Sequence, residues 1–163
     1  GHDLTIRALT YLPEHIKYVA VGDGEAEPKL RSLVKELGLK KRVIFTGRVE
    51  RSVVTLYRKA GDIFVAPSRS EGLGNAFISA LASRIPLITT GAGGIADYAI
   101  DNETAWIVPQ EDAKAIANKV LEVLESPEKV KVISERARAL VEDEYDWDKI
   151  AKRMQKEVFE PVL

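Results

Sequence analysis

Cysteine is missing from the chain altogether, so disulfide bonds and thiolate metal sites are excluded and a reducing compartment is allowed. Histidine is nearly missing too. His2 and His15 stand apart from any His/Asp/Glu spacing suited to a metal, and no metal or other cofactor is expected. No apolar run approaches the roughly 20 residues of a membrane span, and no charged start with an apolar core marks a signal peptide. The expectation is a cytoplasmic protein with no integral membrane segment. Neither sign of charge dominates: 24 Lys plus Arg against 25 Asp plus Glu leave −1, which gives nucleic acid no support as a partner and makes any anion site local. Ser-His-Asp groupings, Walker phosphate loops, basic-aromatic strips, internal repeats and long linkers are likewise missing. What remains is 163 residues, 45% of them hydrophobic, enough for a single domain over 1–163.

Short, nearly continuous apolar runs alternate with amphipathic stretches, the pattern of parallel strands joined by helical crossovers. Strands are predicted at Lys17–Val21, Arg42–Thr46, Asp62–Ala66, Pro86–Thr89 and Ala105–Val108. Helices are predicted at Asp3–Leu12, Ala26–Leu37, Arg51–Ala60, Asn75–Ser83, Gly94–Ile100, Glu111–Leu124, Pro127–Glu142 and Trp147–Phe159. The fold class is therefore α/β, a doubly wound parallel sheet, with a helical end over about 111–163.

The segments that carry chemistry come directly after strands. Ser70-Glu71-Gly72-Leu73-Gly74-Asn75 lies between an apolar strand and an apolar helix, where glycine lets the backbone approach a ligand and helix N–H groups attract an anion. Glu71 either accepts hydrogen bonds from ligand hydroxyls or stabilises a helix start. Gly22-Asp23-Gly24 comes after the first strand and reads as a cleft wall or as a tight turn with Asp23 as a helix cap. Gly47, Arg48 and Val49 end the next strand, and Arg48 is equally a surface cation. Gly93 and Gly94 come after a further strand. Trp106 and Trp147 are expected to pack.

These segments together resemble the retaining glycosyltransferases of family 4 and the glycogen-synthase type, in particular their carboxy-terminal, donor-binding domain of the GT-B fold. The likeness runs through Glu71, Gly72, Gly74, Ala80 and Ala82, Val21-Gly22-Asp23-Gly24, Phe45-Thr46-Gly47-Arg48-Val49, Gly93-Gly94-Ile95 and Asp146-Trp147-Asp148. It implies that a nucleoside-diphosphate sugar is the donor substrate. Glu71, as the catalytic-site carboxylate, would contact the transferred sugar and its phosphate with Gly72, Leu73 and Gly74, flanked by Ser70 and Asn75. Gly22, Gly24, Gly93 and Gly94 would line the donor cleft, and main chain at Gly47, Arg48 and Val49 would read the base. Ser79 stands where the family has a second glutamate that grips the ribose, which implies weaker donor binding or a mere packing serine. Ala96 and Asp97 replace a usual proline and glutamate.

The stretch from Gly1 to Leu9 resembles the family segment that lies just after the first strand and its phosphate-binding Arg and Lys, so that strand and both cations would lie before Gly1. In a Rossmann-type order the first strand is central, and a gap is expected between Lys17–Val21 and Asp62–Ala66. Buried backbone groups need partners. Those strands would pair directly, or a separate acceptor-binding domain or a second copy of the chain would complete the sheet. By itself the chain is expected to be inactive. The alternatives are a degenerate nucleotide-sugar-binding module and a structural or interaction domain.

Overall fold

The structure is a computed structural model and describes residues 1–160; positions 161–163 of the expected helical end lie outside them. Helix α1 (His2–Ala8) runs into a 3-10 turn, Leu9–Tyr11, and strand β1 (Tyr18–Ala20) comes next. Then come α2 (Glu27–Glu36), β2 (Val43–Phe45), α3 (Arg51–Ala60), β3 (Phe64–Ala66), α4 (Asn75–Ala82) and β4 (Leu87–Thr89). After β5 (Trp106–Ile107) the described chain is helical: α5 (Ala113–Leu124), α6 (Pro127–Glu144) and α7 (Trp147–Met154).

Every ladder is parallel, as the alternating pattern requires. Tyr18 lies opposite Val43, Phe64 opposite Leu87, and Ile88 opposite Trp106. The strands are shorter than predicted, their flanking residues contributing single outer bonds: Arg42 O accepts from Tyr18 N–H at 2.8 Å, and Pro86, which has no N–H of its own, accepts at its carbonyl from Phe64 N–H at 2.9 Å. The predicted helix at Gly94–Ile100 is instead a 3-10 turn, Gly93–Asp97, since its two leading glycines disfavour an α-helix. The predicted last helix stops at Met154 and continues as a π turn, Gln155–Phe159. Asp23 caps nothing: α2 begins at Glu27 behind Ala26, without a side-chain cap.

The sheet is split. β1 and β2 form one piece, and β3, β4 and β5 form another in that order. α1 starts with Gly1 against the Pro67 carbonyl, beyond the end of β3. The turn after α1 finishes over Arg42, at the entry to β2, where the guanidinium donates to the carbonyls of Leu9 and Pro13 at 2.8 Å and of Ile16 at 3.0 Å. A helix that begins at the exit of β3 and ends at the entry of β2 makes all strands run the same way. A cavity of about 870 Å³ separates the pieces, lined by Lys17 to Val19 on one side and Ile63 to Ala66 on the other. The gap lies between β1 and β3, the position at which one was expected, and the two strands do not pair directly.

Two apolar clusters flank the pieces. One joins α1, α2 and α5, with Ile6, Leu9, Ile116 and Val120 buried. The other packs α4 on α6 through Phe77, Leu81, Ala137 and Val141, and includes Tyr98. β4, in the middle of its piece, is fully buried at all three positions, whereas β3 is only half-buried.

Candidate functional site

The loop from Pro67 to Gly74 leaves β3 at the carboxyl edge of the sheet, the edge at which open α/β folds take ligands. Three contacts fix it. At its start, Thr90 Oγ1 donates to the Ser68 carbonyl at 2.5 Å. In its middle, Arg69 forks onto both oxygens of Asp3 at 2.9 Å and also holds Glu111, Nη2 donating to Oε2 at 2.9 Å. At its end, the buried Tyr98 hydroxyl donates to the Leu73 carbonyl at 2.7 Å.

Arg69 sets the local electrostatics. Its hydrogen bonds pull the Asp3 carboxyl from 3.8 down to about 2 and hold Glu111 below the ordinary glutamate range. In return the two carboxylates raise Arg69 further. The guanidinium is thereby committed to carboxylates and braces the loop against α1 and the turn before α5.

Two glycine loops are stacked backbone to backbone. Gly93, at φ 64°, leaves so little room that a Cβ there would lie 2.0 Å from the Glu71 carbonyl oxygen, and one on Gly94 would lie 2.7 Å from that of Gly72. The predicted Gly93 and Gly94 are thus brought together with Glu71 and Gly72. Gly74, at φ 70°, turns the chain into α4 with no side-chain cap. Its carbonyl accepts from Phe77 and Ile78, which leaves the Asn75 and Ala76 N–H groups without a backbone partner at the positive end of the helix. Ser70, Gly72, Leu73 and Asn75 are exposed beside them, and Glu71, half-buried, lines the central cavity. Glu71 lies ahead of α4 rather than in its first turn.

Ser79 is on α4 one turn past Asn75, and its hydroxyl donates to the Asn75 carbonyl at 2.7 Å. The other predicted group assembles separately on β1 and β2. Gly22 N–H donates to the Gly47 carbonyl and to Thr46 Oγ1, both at 3.2 Å, joining the two strand ends. Gly24 and Arg48 are exposed nearby in sequence, and Val49 is half-buried. Because all strands run the same way, both groups occupy one edge of the split sheet.

Reading the sequence missed the bracing residues. Arg69 and Glu111 are 42 positions apart, and Tyr98 and Leu73 are 25 apart, so no local spacing pairs them. Trp147, expected to pack, is 75% exposed, while Trp106 is buried as expected. No cluster of three or more metal-ligating side chains exists among the described residues. No helix among them is long and apolar enough to cross a membrane.

The family profile described as "Glycosyl transferases group 1" matches residues 1–140. A lipopolysaccharide core biosynthesis mannosyltransferase, LpcC, of Rhizobium leguminosarum bv. viciae is 32% identical over 135 residues, which is 78% of this chain and 38% of that protein. Among solved structures, the C-terminal domain of a group 1 glycosyl transferase (LpcC) from Francisella tularensis is 26% identical. It superposes with a TM-score of 0.79, covering 90% of this chain and 80% of that one. Anabaena HepE in complex with UDP-glucose gives a TM-score of 0.89 at 23% identity, covering 96% of this chain and 44% of that one. The chain spans about two fifths of the length of the curated relatives it matches.

Proposed function

The chain belongs to the group 1 glycosyl transferases, and from that premise we propose that it is the donor-binding half of a retaining enzyme. It would transfer a sugar from a nucleoside-diphosphate sugar to an acceptor held by a separate domain. One observation carries this reading: Glu71 and the Gly72 to Gly74 backbone are held rigidly beside the uncapped start of α4, at the sheet's carboxyl edge. The HepE structure with UDP-glucose supports a donor of this class.

In this reading the chain positions charge and hydroxyl groups rather than performing proton chemistry by itself. The free Asn75 and Ala76 N–H groups and the α4 dipole face the donor diphosphate and stabilise the negative charge that grows there as the glycosidic bond breaks. Glu71 accepts hydrogen bonds from the sugar and fixes its face toward the acceptor. The joined ends of β1 and β2, at Gly22 and Gly47 to Val49, offer main-chain groups to the base. No turnover is expected from the chain alone.

Calorimetric titration with UDP-, GDP- and ADP-sugars tests the reading directly. At least one donor is expected to bind, and Glu71→Gln is expected to weaken it about tenfold or more through loss of charge-assisted hydrogen bonds. Silence from every donor would sink the proposal.

A further inference from the structure

Three described residues other than glycine hold a positive φ: Arg84 at 58°, Asn102 at 59° and Glu111 at 59°. Two of them have a local reason. Arg84 follows the end of α4, where its N–H donates to Leu81 O at 3.0 Å and that of Ile85 to Ala80 O at 3.1 Å, the paired bonds that close a helix through a left-handed residue. Asn102 is of a residue type that tolerates this conformation, and its side chain donates to Asp101 Oδ2 at 2.8 Å. Glu111 closes no helix. It stands before α5, whose cap is Asp112, accepting from Ala115 N–H at 2.8 Å. What sets Glu111 apart is the grip of its side chain.

That side chain takes Arg69 with both oxygens: Nε donates to Oε1, and Nη2 donates to Oε2 at 2.9 Å. The neighbouring Gln110 Nε2 donates to the Arg69 carbonyl at 3.5 Å. One turn thus holds Arg69 by its main chain and by its guanidinium. The other side of the fork rests on Asp3 of α1, and α1 and α5 pack in one apolar cluster. Two packed helices therefore frame the guanidinium with two carboxylates, two residues ahead of Glu71. These pairs are too solvated to offset the strain as stability, since the Arg69 side chain is 46% exposed and that of Glu111 57%. Strain that stability does not explain points to a constraint on a binding loop.

We propose that Glu111 is a positioning residue for the donor loop: its left-handed backbone aims the carboxylate at Arg69, and the resulting fork fixes Glu71 and Gly72 for donor binding. The inference rests on the donor-binding reading above and adds a residue that acts through Arg69 rather than by contact with the donor. Thr90 and Tyr98 hold the loop at the carbonyls of Ser68 and Leu73. Between these two points the Arg69 fork sets how Ser70, Glu71 and Gly72 face the cleft. A small misplacement there is enough to weaken a bound ligand.

Glu111→Gly removes the grip and the strain together, so its urea midpoint is expected to stay close to the wild-type value. Backbone order parameters from NMR relaxation at Ser70, Glu71 and Gly72 are expected to fall from about 0.85 to about 0.6. Affinity for whichever of UDP-glucose, GDP-mannose and ADP-glucose binds the wild type is expected to drop about fivefold by calorimetry. Glu111→Gln keeps the strained backbone without the charge, and is expected to weaken the same donor while also lowering the urea midpoint. Arg84→Gly relieves an equal φ away from the loop and is expected to change neither loop order nor affinity. A loop that stays ordered in Glu111→Gly overturns the proposal whatever binds. So does a loosened loop with Kd within a factor of about 1.5 of wild type, which makes Glu111 a merely structural contact. Failure of all three sugars to bind the wild type is a different result: it overturns the donor-binding reading, and the order parameters still decide whether Glu111 positions the loop.

Discussion

Glycines at the site serve two different ends, and substitution separates them. Gly22 has φ 114° but nothing within 4 Å of a would-be Cβ, so Gly22→Ala should cost only backbone strain, about 1 kcal/mol. Gly93→Ala adds a collision with the Glu71 carbonyl, a backbone atom that cannot swing aside. A loss of about 3 kcal/mol or more is expected for it, read as the difference in urea midpoints between the two variants. Ser79 is the position at which the proposed donor contact is weakest. Its hydroxyl already donates to Asn75 O, and a neutral hydroxyl binds about half as strongly as a carboxylate. Ser79→Glu should tighten the binding of whichever donor titrates by roughly tenfold, or about 1.4 kcal/mol, by calorimetry; an unchanged Kd would place the ribose elsewhere.

At the scale of elements, the loop after β3 is held by an element of low regularity, the 3-10 turn that leads into Tyr98. Tyr98→Phe removes the buried hydroxyl that donates to the carbonyl of Leu73, a residue whose side chain is exposed. About 1 to 2 kcal/mol of stability should be lost, with faster exchange at Leu73 and Gly74. Trp147 offers the opposite case. Its side chain stands largely in solvent, so Trp147→Ala should change the stability read from the urea midpoint by less than about 0.5 kcal/mol. These elements also mark what the sequence disclosed. β4 reads as a strand because Leu87, Ile88 and Thr89 are covered on both faces, and α5 reads as a helix because Ile116, Ala117, Val120 and Val123 recur at helical spacing. Glu71 and its glycines were legible because a polar break in an apolar βα unit has a local signature. The braces were not, because Arg69 meets Asp3 and Glu111 only after three distant segments fold together. Trp147 misled because an apolar residue on an amphipathic helix shows that a face exists, not that the described chain covers it.

Over the whole molecule, the cluster that braces the candidate site also sets the response to acid. Arg69 holds Asp3 at about 2 when folded, below its ordinary 3.8, so folding favours the carboxylate. That contribution is complete above about pH 5 and is lost as the pH falls through 4 toward 2. Glu111, lowered by the same guanidinium, acts in the same direction. His2 is lowered chiefly by burial, so folding favours its neutral form; its contribution is present above about pH 6.5 and is lost as the pH falls below that. All three slopes share a sign, and stability must decline on acidification in two stages. The Asp3 shift nominally corresponds to about 2.5 kcal/mol, but the side chain is 37% exposed and solvent screening reduces the expected effect to about 1 kcal/mol. Thermal melts of wild type and Asp3→Asn between pH 7 and pH 2 test this. The variant should be less stable at neutral pH by about that amount, and the gap should shrink as the pH falls below about 4 and close only toward pH 2. A gap that stays constant down to pH 2 would mean that Asp3 supports α1 by packing rather than by charge.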